Sequence, residues 1–152
     1  MQRYDWRSLN PLQIGKYAEY FVKMELTIQG LDIYTPEVDD KGIDFIVRKS
    51  ADKYWEVQVK SVHKSKYIFF PKSKFEVNRA NLLVAVVLFV AGEVPNIYLI
   101  PVQAWKTPNS LFVSRDFSGE GKKSTPEWGI QLSKKNMPLL APYAFELVVG
   151  TL

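Results

Sequence analysis

Apolar and polar positions follow two periods along this chain. After Asn10-Pro11, a pair suited to the cap and first position of a helix, Ile14, Tyr17, Phe21, Met24 and Ile28 recur at helical spacing, and Gly30 supplies a stop. An amphipathic helix with those five side chains inward is predicted. Leu31 to Val38 reads as a short strand, Asp39-Asp40-Lys41-Gly42 as a polar turn, and Ile43 to Arg48 as a second strand. Ser50 to Lys53 makes a hairpin connection to a third strand over Tyr54 to Val62. Pro71 to Ala80 predicts a short helix, with Tyr67 to Phe70 before it open to either state. Leu82 to Val90 is a continuous apolar run, as in a strand buried on both faces. Ala91-Gly92-Glu93 turns it into a further strand, Ile97 to Val102.

The last third is less regular. Leu111 to Val113 is a weak strand signal, and Asp116 to Glu127 reads as a polar, mobile loop. Ser133 caps a short helical stretch broken at Pro138, and Phe145 to Val149 reads as a closing strand. Helix, strands, crossover helix and more strands imply a mixed α/β sheet with helices on its faces. No repeat or linker divides residues 1–152, so one domain is expected.

Composition narrows the chemistry. The sequence has no cysteine and one histidine, which removes disulfide frameworks, thiolate zinc sites and cysteine nucleophiles and leaves little material for a Ser-His-Asp triad. The first ten residues lack an apolar stretch, and the longest apolar run, Leu82 to Ala91, is well short of the ~20 residues of a membrane helix. A cytoplasmic protein with no membrane partner is expected.

The net charge of +4 is unevenly placed. Lys60, Lys64, Lys66, Lys72, Lys74 and Arg79 face only Glu76 within residues 60–79, a segment that also carries Tyr67, Phe69, Phe70 and Phe75. Cations interleaved with aromatics suit a phosphate backbone and its bases, or else a solvated face with the rings turned inward.

The most informative stretch is Tyr54-Trp55-Glu56-Val57-Gln58-Val59-Lys60-Ser61. In a strand, Trp55, Val57 and Val59 point one way and Glu56, Gln58 and Lys60 the other. The preceding strand carries Asp44 in an apolar run, where an unpaired charge is costly. An acid beside an amide and a lysine on the adjoining strand suits a hard cation and a phosphate.

Gly42-Ile43-Asp44 followed by Gln58-Val59-Lys60 resembles the core of the PD-(D/E)XK, restriction-endonuclease-like superfamily, and within it the branch in which glutamine replaces the second acid, as in Mrr-type restriction enzymes. Archaeal Holliday-junction resolvases belong to the same superfamily. Glu19 matches the glutamate that the family places on the preceding helix. The resemblance spans about residues 12–90. It implies a restriction-endonuclease-like α/β core and Mg²⁺- or Mn²⁺-dependent hydrolysis of DNA phosphodiesters, in restriction, defence or mobile-element processing. Asp44 would bind the metal, Gln58 would add an oxygen ligand, Lys60 would orient water or stabilise the phosphate, and Glu19 would complete the shell. Lys64, Lys66, Lys72, Lys74 and Arg79 would contact the DNA backbone. One such site cuts one strand, which implies a homodimer or a partner chain.

Several residues around this motif have two readings. Glu56 shares the polar face and either supplements the charge of Gln58 or lies on the surface. Asp39 and Asp40 either approach the site or keep the turn soluble. Ser61 and His63 either meet phosphate or merely end the strand, and Glu19 has a simple i,i+4 partner in Lys23. Gly119-Glu120-Gly121-Lys122-Lys123-Ser124 lacks phosphate-loop spacing and is followed by Pro126, so no nucleotide cofactor is expected. Because Gln58 is uncharged, the alternative is a catalytically inactive nuclease-fold module that binds nucleic acid or a protein partner.

Overall fold

A reciprocal capping box opens the first helix, α1 (Pro11–Ile28). The Asn10 side chain accepts the Gln13 backbone N–H and the Gln13 side chain accepts that of Asn10, both at 2.9 Å. At the other end the N–H of Leu31 reaches the carbonyl of Leu26 and that of Gly30 reaches Thr27, with Gly30 at φ +79°. That is a Schellman stop, and its left-handed residue is glycine. The computed structural model describes residues 2–117, 119–121 and 123–152. Lys122, within the segment set aside as a phosphate loop, is outside them.

The buried stripe of α1 differs from the one its spacing predicts. Ile14, Ala18, Val22 and Leu26 are buried, Tyr17 and Phe21 pack beside them, and Met24 and Ile28 are 58% and 74% exposed. Ala18 is the small residue that sets the helix against the sheet, and it turns Met24 and Ile28 outward.

The strands in chain order are β1 (Asp32–Tyr34), β2 (Phe45–Ser50), β3 (Lys53–Val62), β4 (Tyr67–Pro71), β5 (Leu82–Leu88), β6 (Asn96–Pro101), β7 (Phe112–Arg115) and β8 (Glu127–Gln131). The main sheet has the order β1-β2-β3-β5-β6, with β3 and β5 parallel and the other pairs antiparallel. A smaller antiparallel sheet has the order β4-β8-β7. Helix α1 covers one face of the main sheet and the smaller sheet covers the other. β5 is buried on both faces, as its composition predicts. Leu83, Ala85 and Val87 join the core beneath α1, while Leu82, Val84 and Val86 join Phe70, Trp105 and Ile130 beneath the smaller sheet.

Four expected elements are corrected. The strand read over residues 31–38 is paired only at Asp32–Tyr34. No helix spans residues 71–80: β4 runs through Pro71 into a single 3-10 turn, Lys72–Lys74. Phe70 and Phe75 meet edge to face at 4.5 Å inside the second core, so burial of both rings fixes this segment rather than a helical stripe. The β3-to-β5 crossover therefore passes through the smaller sheet. Phe145–Val148 is a short helix, α3, following the short helix α2 (Met137–Leu140). The helical stretch expected from Ser133 and broken at Pro138 is α2 itself, which starts after Asn136 and takes Pro138 into its first turn, where a missing N–H costs nothing. Among the described residues no helix is long and apolar enough to cross a membrane.

Candidate active site

The site forms where β2 begins and β3 continues past it. Phe45 pairs with Val57, and just before it the Asp44 N–H still reaches the Val57 carbonyl at 2.9 Å. The Val59 N–H points to the same side as that of Val57, where β2 has no ladder carbonyl left to offer. The Asp44 side chain takes its place: Oδ2 accepts the Val59 N–H at 2.6 Å and the Gln58 amide N–H at 3.0 Å. Gln58 also donates to the Val59 carbonyl at 3.2 Å.

β3 alternates as the sequence predicts. Val57 and Val59 enter the core beneath α1, with Trp55 packed against it, while Gln58 and Lys60 pair with Val84 and Val86 on the other face. Lys60 is partly buried. Burial pushes its ammonium below the ordinary lysine range, and the Asp44 charge pulls it part of the way back. Asp44 shows the converse. Burial raises its carboxyl, the Val59 N–H opposes that rise, Glu19 and Asp39 add to it, and Lys60 lowers it. Each group holds a charge that its surroundings resist, a condition that concentrates at functional sites.

Glu19 faces Asp44 across a cleft of about 300 Å³, lined also by Lys16, Gly15 and Val59. Its carboxylate is held by Lys23 at 2.8 Å and Lys16 at 3.1 Å. Burial pushes the Glu19 carboxyl up, and the hydrogen bonds from Lys23 and Lys16 together outweigh it and hold the group low. Asp44, the residue before β2, is thus bonded to Gln58 and in electrostatic reach of Lys60, both on β3, and shares a cleft with Glu19 of α1. Lys16 was not singled out in the sequence, although its place three residues before Glu19 on the same helix was the available signal.

The remaining predicted residues are placed around this centre in different states. Glu56 is paired with Arg79, which also approaches Asn81 at 3.5 Å. That pair, with Asp40, Lys41 and Lys74, lines a neighbouring cleft, and the Lys74 ammonium lies 3.5 Å from the Asp40 carbonyl. Lys72 is engaged: it donates to Ser114 at 2.6 Å and Asp116 at 2.7 Å and sits 4.1 Å over the Trp128 ring. Lys64 and Lys66 are exposed in the β3–β4 turn, and Ser61 and His63 border a separate cleft beside the start of α1.

The donor set can be tested against a divalent ion. Among the described residues no group of three His, Cys, Asp or Glu side chains is poised to hold a metal, which argues against a zinc cage. Mg²⁺ needs less from the protein, since it keeps several waters and takes one or two carboxylates plus substrate phosphate. Asp44 has Oδ1 uncommitted, Glu19 faces the same cleft, and a half-turn of the Gln58 amide exchanges its N–H for an oxygen. The residues fit that ion.

No known family's sequence pattern matches the chain, and no curated protein matches it by sequence. Solved structures do. The chain superposes on the Holliday junction resolvase Hjc of Archaeoglobus fulgidus with a TM-score of 0.57 and 16% identity, covering 90% of this chain and 95% of that one. It superposes on the bacterial homing endonuclease I-Ssp6803I with a TM-score of 0.54 and 16% identity, covering 93% of each. The chain shares the mixed α/β fold of these two proteins. The shared fold extends over the C-terminal third, where the sequence resemblance stops.

Proposed function

We propose that the chain is a divalent-metal-dependent nuclease that hydrolyses phosphodiester bonds in DNA. The observation that carries this reading is the union, at one strand end, of a partly buried carboxylate, an amide, a partly buried lysine and a second carboxylate across a cleft. The fold shared with a resolvase and a homing endonuclease supports it. Asp44, Glu19 and Gln58 would hold Mg²⁺ or Mn²⁺, and such an ion supplies charge for the phosphate oxygens and lowers the pKa of a water. Lys60, with no hydrogen bond or ion pair among the described residues, is free to orient that water or to meet the phosphate. Asp44 anchors the strand end so that the two groups keep their separation. Because one site cuts one strand, cleavage of both strands calls for two copies of the chain or a partner.

A second reading keeps the fold and drops the chemistry. Glu19 already has two lysines and Gln58 brings no charge, so the centre carries few free anionic oxygens. A module that binds nucleic acid or a protein partner without cutting would tolerate that. Incubation of plasmid, linear duplex and single-stranded DNA with Mg²⁺ or Mn²⁺ separates the two. The nuclease cuts, and Asp44→Asn removes cutting while sparing DNA binding. The module binds with a steep salt dependence and no metal requirement.

A further inference from the structure

The cleft beside the start of α1 has no role in the chemistry above. Its volume is about 250 Å³, with a wall of Leu9, Pro11 and Ile14 and a rim of Ser61, His63 and Lys64. It adjoins the Asp44 cleft, because Pro11 lines both. Ser61 lies on the same face of β3 as Val59, two residues and so about 6.6 Å further on. That step is of the order of one sugar–phosphate repeat.

The backbone supplies an independent observation. Lys64 sits at φ +69°, where an L side chain crowds the carbonyl that follows and glycine or asparagine is ordinarily found. The turn is held there from its far side, since the Ser65 hydroxyl donates to the Tyr67 carbonyl at 2.8 Å and accepts the Tyr67 N–H at 3.3 Å. Among the described residues the Ser61 hydroxyl, the His63 imidazole and the Lys64 ammonium have no hydrogen-bond or ion-pair partner. A lysine thus occupies a strained backbone position beside two unengaged polar groups that line the same cleft.

We infer that this cleft holds the phosphate next to the scissile one on the same nucleic-acid strand, bound by Lys64, His63 and Ser61, with its sugar against Pro11 and Leu9. The inference rests on the nuclease reading and adds a subsite to it. Strain at Lys64 is tolerated, on this reading, because the left-handed turn aims a cation at the cleft.

The test uses a fluorescein-labelled duplex whose cut position has been mapped, titrated by anisotropy in EDTA. Lys64→Gly is expected to raise the Tm, weaken binding roughly tenfold and reduce the slope of log K against log salt by about one. Lys64→Gln, which retains the strain, is expected to show the same loss of affinity without the rise in Tm. Replacing the phosphate beside the cut by a neutral methylphosphonate should weaken the wild type at least as much, and should weaken Lys64→Gly by less than it weakens the wild type, because the two changes share the Lys64 contact. Full affinity in both Lys64 variants, or losses that add, overturns the subsite while metal-dependent cutting by the wild type leaves the nuclease standing. A wild type that neither binds nor cuts the duplex overturns both.

Discussion

Asp44 completes the hydrogen bonding of Val59: its carboxylate accepts the Val59 backbone N–H at 2.6 Å at the point where β2 can no longer do so. The side chain with the metal-binding role in our account is thus also a piece of the sheet. Loss of chemistry and loss of structure must therefore be separated by the choice of substitution.

Asp44→Asn keeps an acceptor for Val59 and removes a charge that burial resists, so it should stabilise the protein at pH 7 by about 0.5–2 kcal/mol. Asp44→Ala leaves the Val59 N–H without its partner and should destabilise by about 1–3 kcal/mol. Urea denaturation of the two variants checks the contrast. Equal effects would show that the carboxylate does not carry this hydrogen bond.

The pH dependence of that difference has a definite sign. The Asp44 carboxyl is raised in the folded state, so its contribution to stability is fully present below the unfolded pKa and is lost as pH rises through the folded value. The advantage of Asp44→Asn over the wild type should therefore be largest near neutrality and shrink as pH falls toward 4. Lys60 runs oppositely, because its folded pKa is depressed. Its contribution is present above the unfolded pKa and lost as pH falls through the folded one, so Lys60→Met should be more stable than the wild type at pH 7, by a margin that narrows toward pH 10. Denaturation curves across this range test both, and margins independent of pH would contradict the account.

Gln58→Glu places a second carboxylate against Asp44. Without metal it should cost about 1–2 kcal/mol through like-charge repulsion. With Mg²⁺ or Mn²⁺ it should show a larger rise in Tm than the wild type, because the added anion strengthens the donor set. Thermal unfolding with and without the ion measures both effects. A variant as stable as the wild type without metal would mean that the two side chains do not share one site.

Gly129→Ala probes the second sheet. A Cβ at Gly129 would overlap the Tyr67 side chain, whose hydroxyl is bonded to Glu127 and whose ring lies 4.2 Å beneath Arg115. Burial, then that hydrogen bond, raises the Tyr67 phenol to about 12. Since the ring is pinned, the overlap should cost about 1–3 kcal/mol, read from the shift in the urea midpoint. A neutral Gly129→Ala would show that Tyr67 moves aside freely.

Much of the first half was legible because its signals are local. Asn10-Pro11, Gly30 and the Gly42-to-Lys60 hairpin fix their geometry within a few residues, and with them the placement of Asp44, Gln58 and Lys60. The inward face of α1 was misread because Met24 and Ile28 fit the period as well as Ala18 and Leu26, and the choice is made by contact with the sheet. Residues 71–80, β8 and α3 take their conformation from the second core, where Phe75, Trp105 and Ile130 meet from distant parts of the chain. The engagement of Lys72 by Ser114 and Asp116 was hidden for the same reason, being a contact across more than forty residues.

The most direct test of the central claim is plasmid cleavage with Mg²⁺ or Mn²⁺, run beside Asp44→Asn and Lys60→Met at pH 7. The account predicts metal-dependent nicking by the wild type. It predicts a loss of roughly 10²–10³-fold for each variant, with the fold of both intact by thermal unfolding. Cleavage that survives both substitutions, or no cleavage by a folded wild type with either ion, would contradict it.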